Sequence, residues 1–101
     1  MGGRVLISRS DIEKAVSEVA PKYGAVKVSL FGSHARGEAT ESSDVDLVVD
    51  FESPIGFALG GMYLELEKRL GCDVDIVCGA EMLYPFVRDS YEQDGVTIYG
   101  N

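Results

Sequence analysis

The sequence has few cysteines, few basic residues and no long apolar run. Its two cysteines, Cys72 and Cys78, are too few and too far apart for a zinc site or a C-x-x-C redox pair. We interpret them as reduced thiols of a cytoplasmic protein. No segment approaches the ~20 apolar residues that a membrane span needs. The start, MGGRVLISRS, also lacks the apolar segment of a signal peptide.

Basic residues are outnumbered: 9 lysines and arginines stand against 17 aspartates and glutamates, which gives a formal net charge of −8. A field of that sign repels the phosphates of nucleic acids and attracts cations or a basic protein. We therefore expect no direct contact with nucleic acid. The chain has 101 residues, 46% of them hydrophobic, and shows no repeat, linker or low-complexity segment. We expect residues 1–101 to form a single domain with a small core.

Hydrophobic spacing predicts alternating helices and strands. The S-x-x-E pattern that begins at Ser10 predicts a capping box, and the helix behind it ends near Pro21 or Gly24. Apolar residues at helical spacing from Leu59, through Met62 or Tyr63, to Leu70 predict a second long helix. The further expected elements are strands at 26–31, 44–51, 73–78 and 96–99, a loop at 32–43, and a last helix from Pro85 to about Gln93. This order predicts an α+β fold, a mixed four-stranded sheet with helices packed on one face.

Two aspartates, Asp44 and Asp46, open the second predicted strand. Side chains alternate along a strand, so these two point to the same face, ~7 Å apart at Cα. Their charges repel, and one pKa should rise unless a cation neutralises them. Mg²⁺ prefers carboxylate oxygens and substrate phosphates. If the strands at 44–51 and 73–78 are neighbours, Asp75 completes a three-carboxylate cluster, although Asp73 lies on the same predicted face and competes for that role.

The turn before these acids carries groups suited to an anion. Gly32 lets the backbone approach a ligand closely, because it has no Cβ. Ser33 offers a hydroxyl, and the neighbouring backbone N–H groups can cradle an anion. Arg36 suits phosphate oxygens, but it could equally form a salt bridge with a nearby acid. Anion donors followed by metal-binding acids indicate a site for a triphosphate and magnesium.

The stretch GSHARGEATESSDVDLVV, residues 32–49, resembles the G-S-x-A-R-G and S-D-x-D-L motifs of the minimal nucleotidyltransferases. These proteins belong to the DNA polymerase beta-like superfamily. VDIV, at 74–77, resembles the strand that carries the family's third acid, and GVTIYG, at 95–100, resembles its final strand. The resemblance therefore covers nearly the whole chain, and it implies the fold of that superfamily.

The resemblance also implies roles for single residues. Those that would bind the nucleotide are Gly32, Ser33 and Arg36, and those that would bind two Mg²⁺ ions and act in catalysis are Asp44, Asp46 and Asp75. Asp75 would in addition help to activate the attacking group. His34, the one histidine, occupies a variable position of the motif, so we interpret it as a turn residue rather than a catalytic base.

Minimal members of this family commonly work with a HEPN-domain toxin. The resemblance implies that the chain transfers AMP from ATP to a tyrosine of such a partner and so acts as its antitoxin. Two alternatives stay open. The chain could neutralise a partner by binding alone, without chemistry, or it could transfer a nucleotide to the hydroxyl of a small molecule.

Overall fold

The structure, a computed structural model, describes residues 7–100. Its sheet has four strands: β1 Ala25–Phe31, β2 Val45–Phe51, β3 Val74–Cys78 and β4 Val96–Gly100. Their order in the sheet is β3-β2-β1-β4. β1 is antiparallel to both β2 and β4, whereas β2 and β3 are parallel. The predicted mixed four-stranded sheet is confirmed, and each strand lies within one residue of its predicted bounds.

Within residues 7–100 there are four α-helices, the first before β1 and the other three each between consecutive strands. They are α1 Arg9–Val19, α2 Gly32–Arg36, α3 Ala58–Leu70 and α4 Pro85–Asp94, with 3₁₀ turns at Ala20–Tyr23 and Ala80–Met82. None of the helices between residues 7 and 100 is long and apolar enough to cross a membrane. The short α2 lies in a stretch that we predicted to be a loop. A five-residue helix completes little more than one turn, too short to show a repeating apolar pattern.

The start of α1 differs from the prediction. The N-cap is Ser8 rather than Ser10. The Ser8 hydroxyl accepts a hydrogen bond from the Asp11 amide at 3.0 Å, and the Asp11 carboxylate accepts one from the Ser8 amide at 3.4 Å. The earlier start also brings Arg9 into the helix, where its guanidinium donates to the Ala35 carbonyl at 3.0 Å. A capping box is present, as predicted, but it lies two residues earlier than predicted. The segment SRSDIE contains two overlapping capping patterns, and the structure uses the first.

The core lies between one face of the sheet and the helices α1 and α3. Its largest fully buried side chains are Ile12, Val16, Val19, Val28, Leu30, Val45, Leu47, Val49, Met62 and Leu66. Helix α3 ends at Gly71 in the left-handed conformation (φ +70°), as the sequence predicted. These two helices pack on one face, as expected.

The other face of the sheet is covered only in part. Helix α4 contributes no fully buried side chain. Its Tyr91 ring packs edge-on against Phe31, with 5.9 Å between the ring centroids. Phe31 is paired with Asp46 across β1 and β2, so both side chains lie on this second face. The acids of β2 therefore lie on the more open side of the sheet.

Candidate active site

The predicted acids meet where β2 and β3 begin. Parallel pairing of these two strands sets Asp46 opposite Asp75, which confirms that the two strands are neighbours. Asp44 is exposed and lies one residue before β2. Asp73 lies one residue before β3, and its carbonyl accepts a hydrogen bond from the Val45 amide at 3.0 Å. Of the two candidates for the third acid, Asp75 is therefore the one in register with Asp46.

The three carboxylates interact electrostatically. The pKa of Asp46 is raised to about 6, mainly by burial and also by the charges of Asp75 and Asp44, while the charge of Arg36 acts in the opposite direction. Like charges this close favour the protonated form unless a cation is present. A divalent ion among these oxygens would remove the repulsion.

The donor set fits magnesium. Mg²⁺ is usually held by one or two carboxylates, with water and substrate phosphates as its remaining ligands. Within residues 7–100, no group of three or more acidic, histidine or cysteine side chains is already drawn together as a metal cage. The three predicted carboxylates therefore do not form, by themselves, a group that could hold a metal ion. An ion at this site would need further ligands from water and from substrate phosphates.

Gly32 lies against the carboxylate of Asp46. It follows Phe31, the residue paired with Asp46, and its φ is +73°. A Cβ at this position would collide with the Asp46 carboxylate. Glycine is therefore required twice here, once for the left-handed backbone and once for the close approach. The backbone that leads into Ser33 therefore starts beside the Asp46 carboxylate.

Arg36 makes the salt bridge that the sequence left open. Its Nε donates to the Glu38 carboxylate at 2.9 Å, and this hydrogen bond is the main cause that raises the pKa of Arg36. The charges of Asp94 and Asp46 act in the same direction. The pair with Glu38 is solvent-exposed, and an exposed pair of this kind contributes little to stability. Arg36 can therefore exchange Glu38 for another anion at small cost.

His34 lies apart from the acids. Its Nε2 is buried and has no hydrogen-bond partner in the part of the chain that the structure describes. The ring lines a pocket of about 220 Å³ together with Ser43, Leu70 and other residues, but none of the three predicted acids lines it. His34 belongs to helix α2 rather than to a turn, so that part of the interpretation is wrong.

Side chains of α3 hydrogen-bond to the backbone of β3, and the sequence did not predict these contacts. Tyr63, expected only as a core residue of the second helix, hydrogen-bonds through its hydroxyl to the backbone of Ile76. Glu67 accepts a hydrogen bond from the Val74 amide. Tyr63 belongs to the apolar pattern of α3, and nothing in that pattern distinguishes a hydroxyl that bonds a strand from an aromatic ring that fills a core.

The chain is similar to known proteins in sequence and in fold. A family model described as "Nucleotidyltransferase domain" matches residues 10–98. A Methanocaldococcus jannaschii protein, named provisionally as a protein adenylyltransferase, is 42% identical over 81 residues, which cover 76% of this chain and 80% of that protein.

Two solved structures share the fold. One, described provisionally as a minimal nucleotidyltransferase, has a TM-score of 0.69 and 40% identity, and the match covers 83% of this chain and 86% of that one. The other, a toxin–antitoxin crystal structure with AMP-PNP, has a TM-score of 0.73 over 88% of this chain and 73% of that one. Its identity is 21%, so that likeness concerns the fold alone. The predicted fold class is confirmed, and the chain belongs to the nucleotidyltransferase domain family.

Proposed function

We propose that this nucleotidyltransferase transfers AMP from ATP to a tyrosine hydroxyl of a HEPN-type partner protein and thereby acts as an antitoxin. The observation that carries the proposal is the pairing of Asp46 with Asp75 beside Gly32, in a chain of the nucleotidyltransferase family. The M. jannaschii relative is named for transfer of AMP to protein. A structural neighbour is a toxin–antitoxin protein crystallised with an ATP analogue.

The roles of the individual residues form part of the proposal. Asp44, Asp46 and Asp75 would hold two Mg²⁺ ions, and Gly32, Ser33 and Arg36 would bind the triphosphate. When bound, the metal lowers the pKa of the attacking hydroxyl and offsets the charge of the leaving group. Gly32 leaves room for the phosphates next to Asp46, and Arg36 exchanges Glu38 for a phosphate oxygen.

At the α-phosphorus, the reaction forms one bond and breaks one. The acceptor oxygen bonds to the α-phosphorus of ATP, and the bond from that phosphorus to the bridging oxygen breaks, so that pyrophosphate leaves. The proton of the hydroxyl goes to the Asp75 carboxylate. In this proposal residues 1–101 act as one domain in the cytoplasm, and the acidic surface meets a basic partner rather than nucleic acid.

Intact-mass measurement of the partner tests the proposal. The chain is mixed with a HEPN-domain partner, ATP and Mg²⁺, and each transfer should add the mass of one AMP. Parallel reactions with label on the α- or the γ-phosphate should label the partner from the α-phosphate alone. Addition of a metal chelator should stop the transfer.

Two other outcomes would replace the proposal. If the partner is neutralised but its mass does not change, the chain is an antitoxin that acts by binding. If the partner is unchanged and AMP appears on an added small-molecule alcohol, the acceptor class is wrong.

A further inference from the structure

Strand β3 is an edge strand whose free edge is held by side chains of α3. In the sheet it pairs with β2 alone, and the outer backbone groups of an edge strand otherwise have no partner from the sheet. The Tyr63 hydroxyl accepts a hydrogen bond from the Ile76 amide at 3.0 Å and donates one to the Ile76 carbonyl at 3.1 Å. The Glu67 carboxylate accepts from the Val74 amide at 3.3 Å. Helix α3 thus supplies what a further strand would supply.

These contacts lie on both sides of Asp75. Val74 and Ile76 are its neighbours in the chain, and their side chains point into the core, each 6% exposed. Because side chains alternate along a strand, Asp75 points to the other face, where it is in register with Asp46. The backbone around Asp75 is therefore fixed from the core side, while its carboxylate stays open to a ligand.

The ring of Tyr63 is itself held in place. The ring is half-buried and packs against the core cluster. This packing restricts the position from which the hydroxyl contacts the strand. A single hydroxyl that both accepts and donates fixes the position of Ile76 along the strand as well as its distance from α3. A slip of β3 along β2 would break both hydrogen bonds at once.

We propose that Tyr63 and Glu67 are positioning residues that hold Asp75 in register with Asp46 for metal binding. Neither touches the reacting atoms. The consequence for catalysis rests on the proposed function, whereas the consequence for the register of β3 does not. Loss of an outer hydrogen bond around a metal site typically costs about 10–100-fold in affinity or activity. We expect the lower end, because β3 keeps its pairing with β2.

The test compares two substitutions that each remove one tyrosine hydroxyl. One tyrosine, Tyr63, lies in α3, and the other, Tyr23, donates a hydrogen bond to α3. Tyr63→Phe keeps the ring and loses both bonds to Ile76. Tyr23→Phe is the matched control, since the Tyr23 hydroxyl is also partly buried, but the hydrogen bond it makes goes to Glu65 of α3 and not to β3. Mg²⁺ binding is measured by calorimetry in the presence of a non-hydrolysable ATP analogue. Tyr63→Phe should weaken it about tenfold, and Tyr23→Phe should leave it unchanged.

Amide hydrogen exchange gives a second measurement that needs no catalysis. In Tyr63→Phe the Ile76 amide should exchange faster, while the amides of β1 keep their protection. Glu67 offers an independent pair of variants. Glu67→Gln keeps an acceptor for the Val74 amide and should retain Mg²⁺ affinity, whereas Glu67→Ala removes the acceptor and should weaken it.

A double variant tests whether the effect passes through Asp75. In an Asp75→Asn background, Tyr63→Phe should cause no further loss of Mg²⁺ affinity. The inference is wrong if the loss is as large as in the wild type, or if Tyr63→Phe and Tyr23→Phe give the same affinity and the same exchange. If the wild-type chain transfers no AMP, the proposed function fails, but exchange and metal binding still decide the inference.

Discussion

The two faces of β2 differ in chemistry: one is apolar and buried, and the other carries acidic side chains. Val45, Leu47 and Val49 are fully buried against the helices. Asp46, between them, is half-buried on the opposite face beside Asp75. Because side chains alternate along the seven residues of β2, the same strand forms both the buried apolar face and the acidic face. The core face stabilises the fold, whereas the acidic face keeps like charges together at a cost to stability. In the proposed reaction, that cost is offset when a cation binds.

The largest stability effect is expected on the core face. Leu47→Ala removes a fully buried side chain and should lower the free energy of unfolding by about 2–5 kcal/mol. Asp50→Asn, on the same strand but exposed, should change it by no more than about 0.5 kcal/mol. Denaturant unfolding of both variants makes the measurement. Equal losses would mean that the faces of β2 are not divided as described.

The next effect tests the close approach at the acidic face. Gly32→Ala meets both a left-handed backbone and the Asp46 carboxylate, and should cost about 1–3 kcal/mol of unfolding free energy together with most of the AMP transfer. Gly37→Ala is the matched control, since Gly37 has φ +74° but open space around it. It should show the backbone penalty alone and retain activity. If both variants lose activity equally, contact with Asp46 is not the reason for the glycine.

Asp46→Asn should stabilise the metal-free protein at neutral and higher pH. The folded protein raises the pKa of Asp46 to about 6 from 3.8, so the ionised carboxylate opposes folding above pH 6. That penalty shrinks as the pH falls and is gone below about pH 4. Each unit of pKa corresponds to ~1.4 kcal/mol, and for a half-buried group we expect a gain of about 1–2 kcal/mol at pH 8.

Unfolding of Asp46→Asn and wild type between pH 4 and pH 8 measures this effect. The two curves should converge at the acidic end, and added Mg²⁺ should reduce the difference at pH 8 by stabilising the wild type. A variant that is less stable than the wild type at pH 8 without metal would contradict the electrostatic description of the acidic face.

The smallest change in stability is expected at α3, which is part of neither face of β2. Gly60, in α3, has no atom within 4 Å of where a Cβ would lie, so Gly60→Ala should stabilise the protein by about 0.5–1 kcal/mol. At Gly61 a Cβ would lie 3.0 Å from the Tyr23 hydroxyl, and Gly61→Ala should gain less or destabilise. Thermal unfolding compares the two, and neither change should affect Mg²⁺ binding. A larger gain at Gly61 would mean that Tyr23 moves away freely.

The sequence predicted the features that depend on regular spacing. The strands follow from the alternation of apolar residues, and the position of Asp46 on the open face follows from the same pattern. Helix α2 was not predicted because a single helical turn is too short to show a repeating apolar pattern. The N-cap at Ser8 was missed because Ser10, two residues further on, begins a second capping pattern. The hydroxyl of Tyr63 and the ion pair of Arg36 depend on which partner the fold brings near, which spacing does not encode.

The rate of AMP transfer by Asp46→Asn, measured beside its stability, tests the central claim most directly. The claim is that the acids on the open face serve chemistry rather than folding. Transfer to the partner should fall by about a thousandfold, or ~4 kcal/mol in activation free energy, in a protein at least as stable as the wild type. Asp50→Asn should transfer AMP at the wild-type rate. An Asp46→Asn protein that stays fully active, or one that loses activity only because it unfolds, would contradict the account.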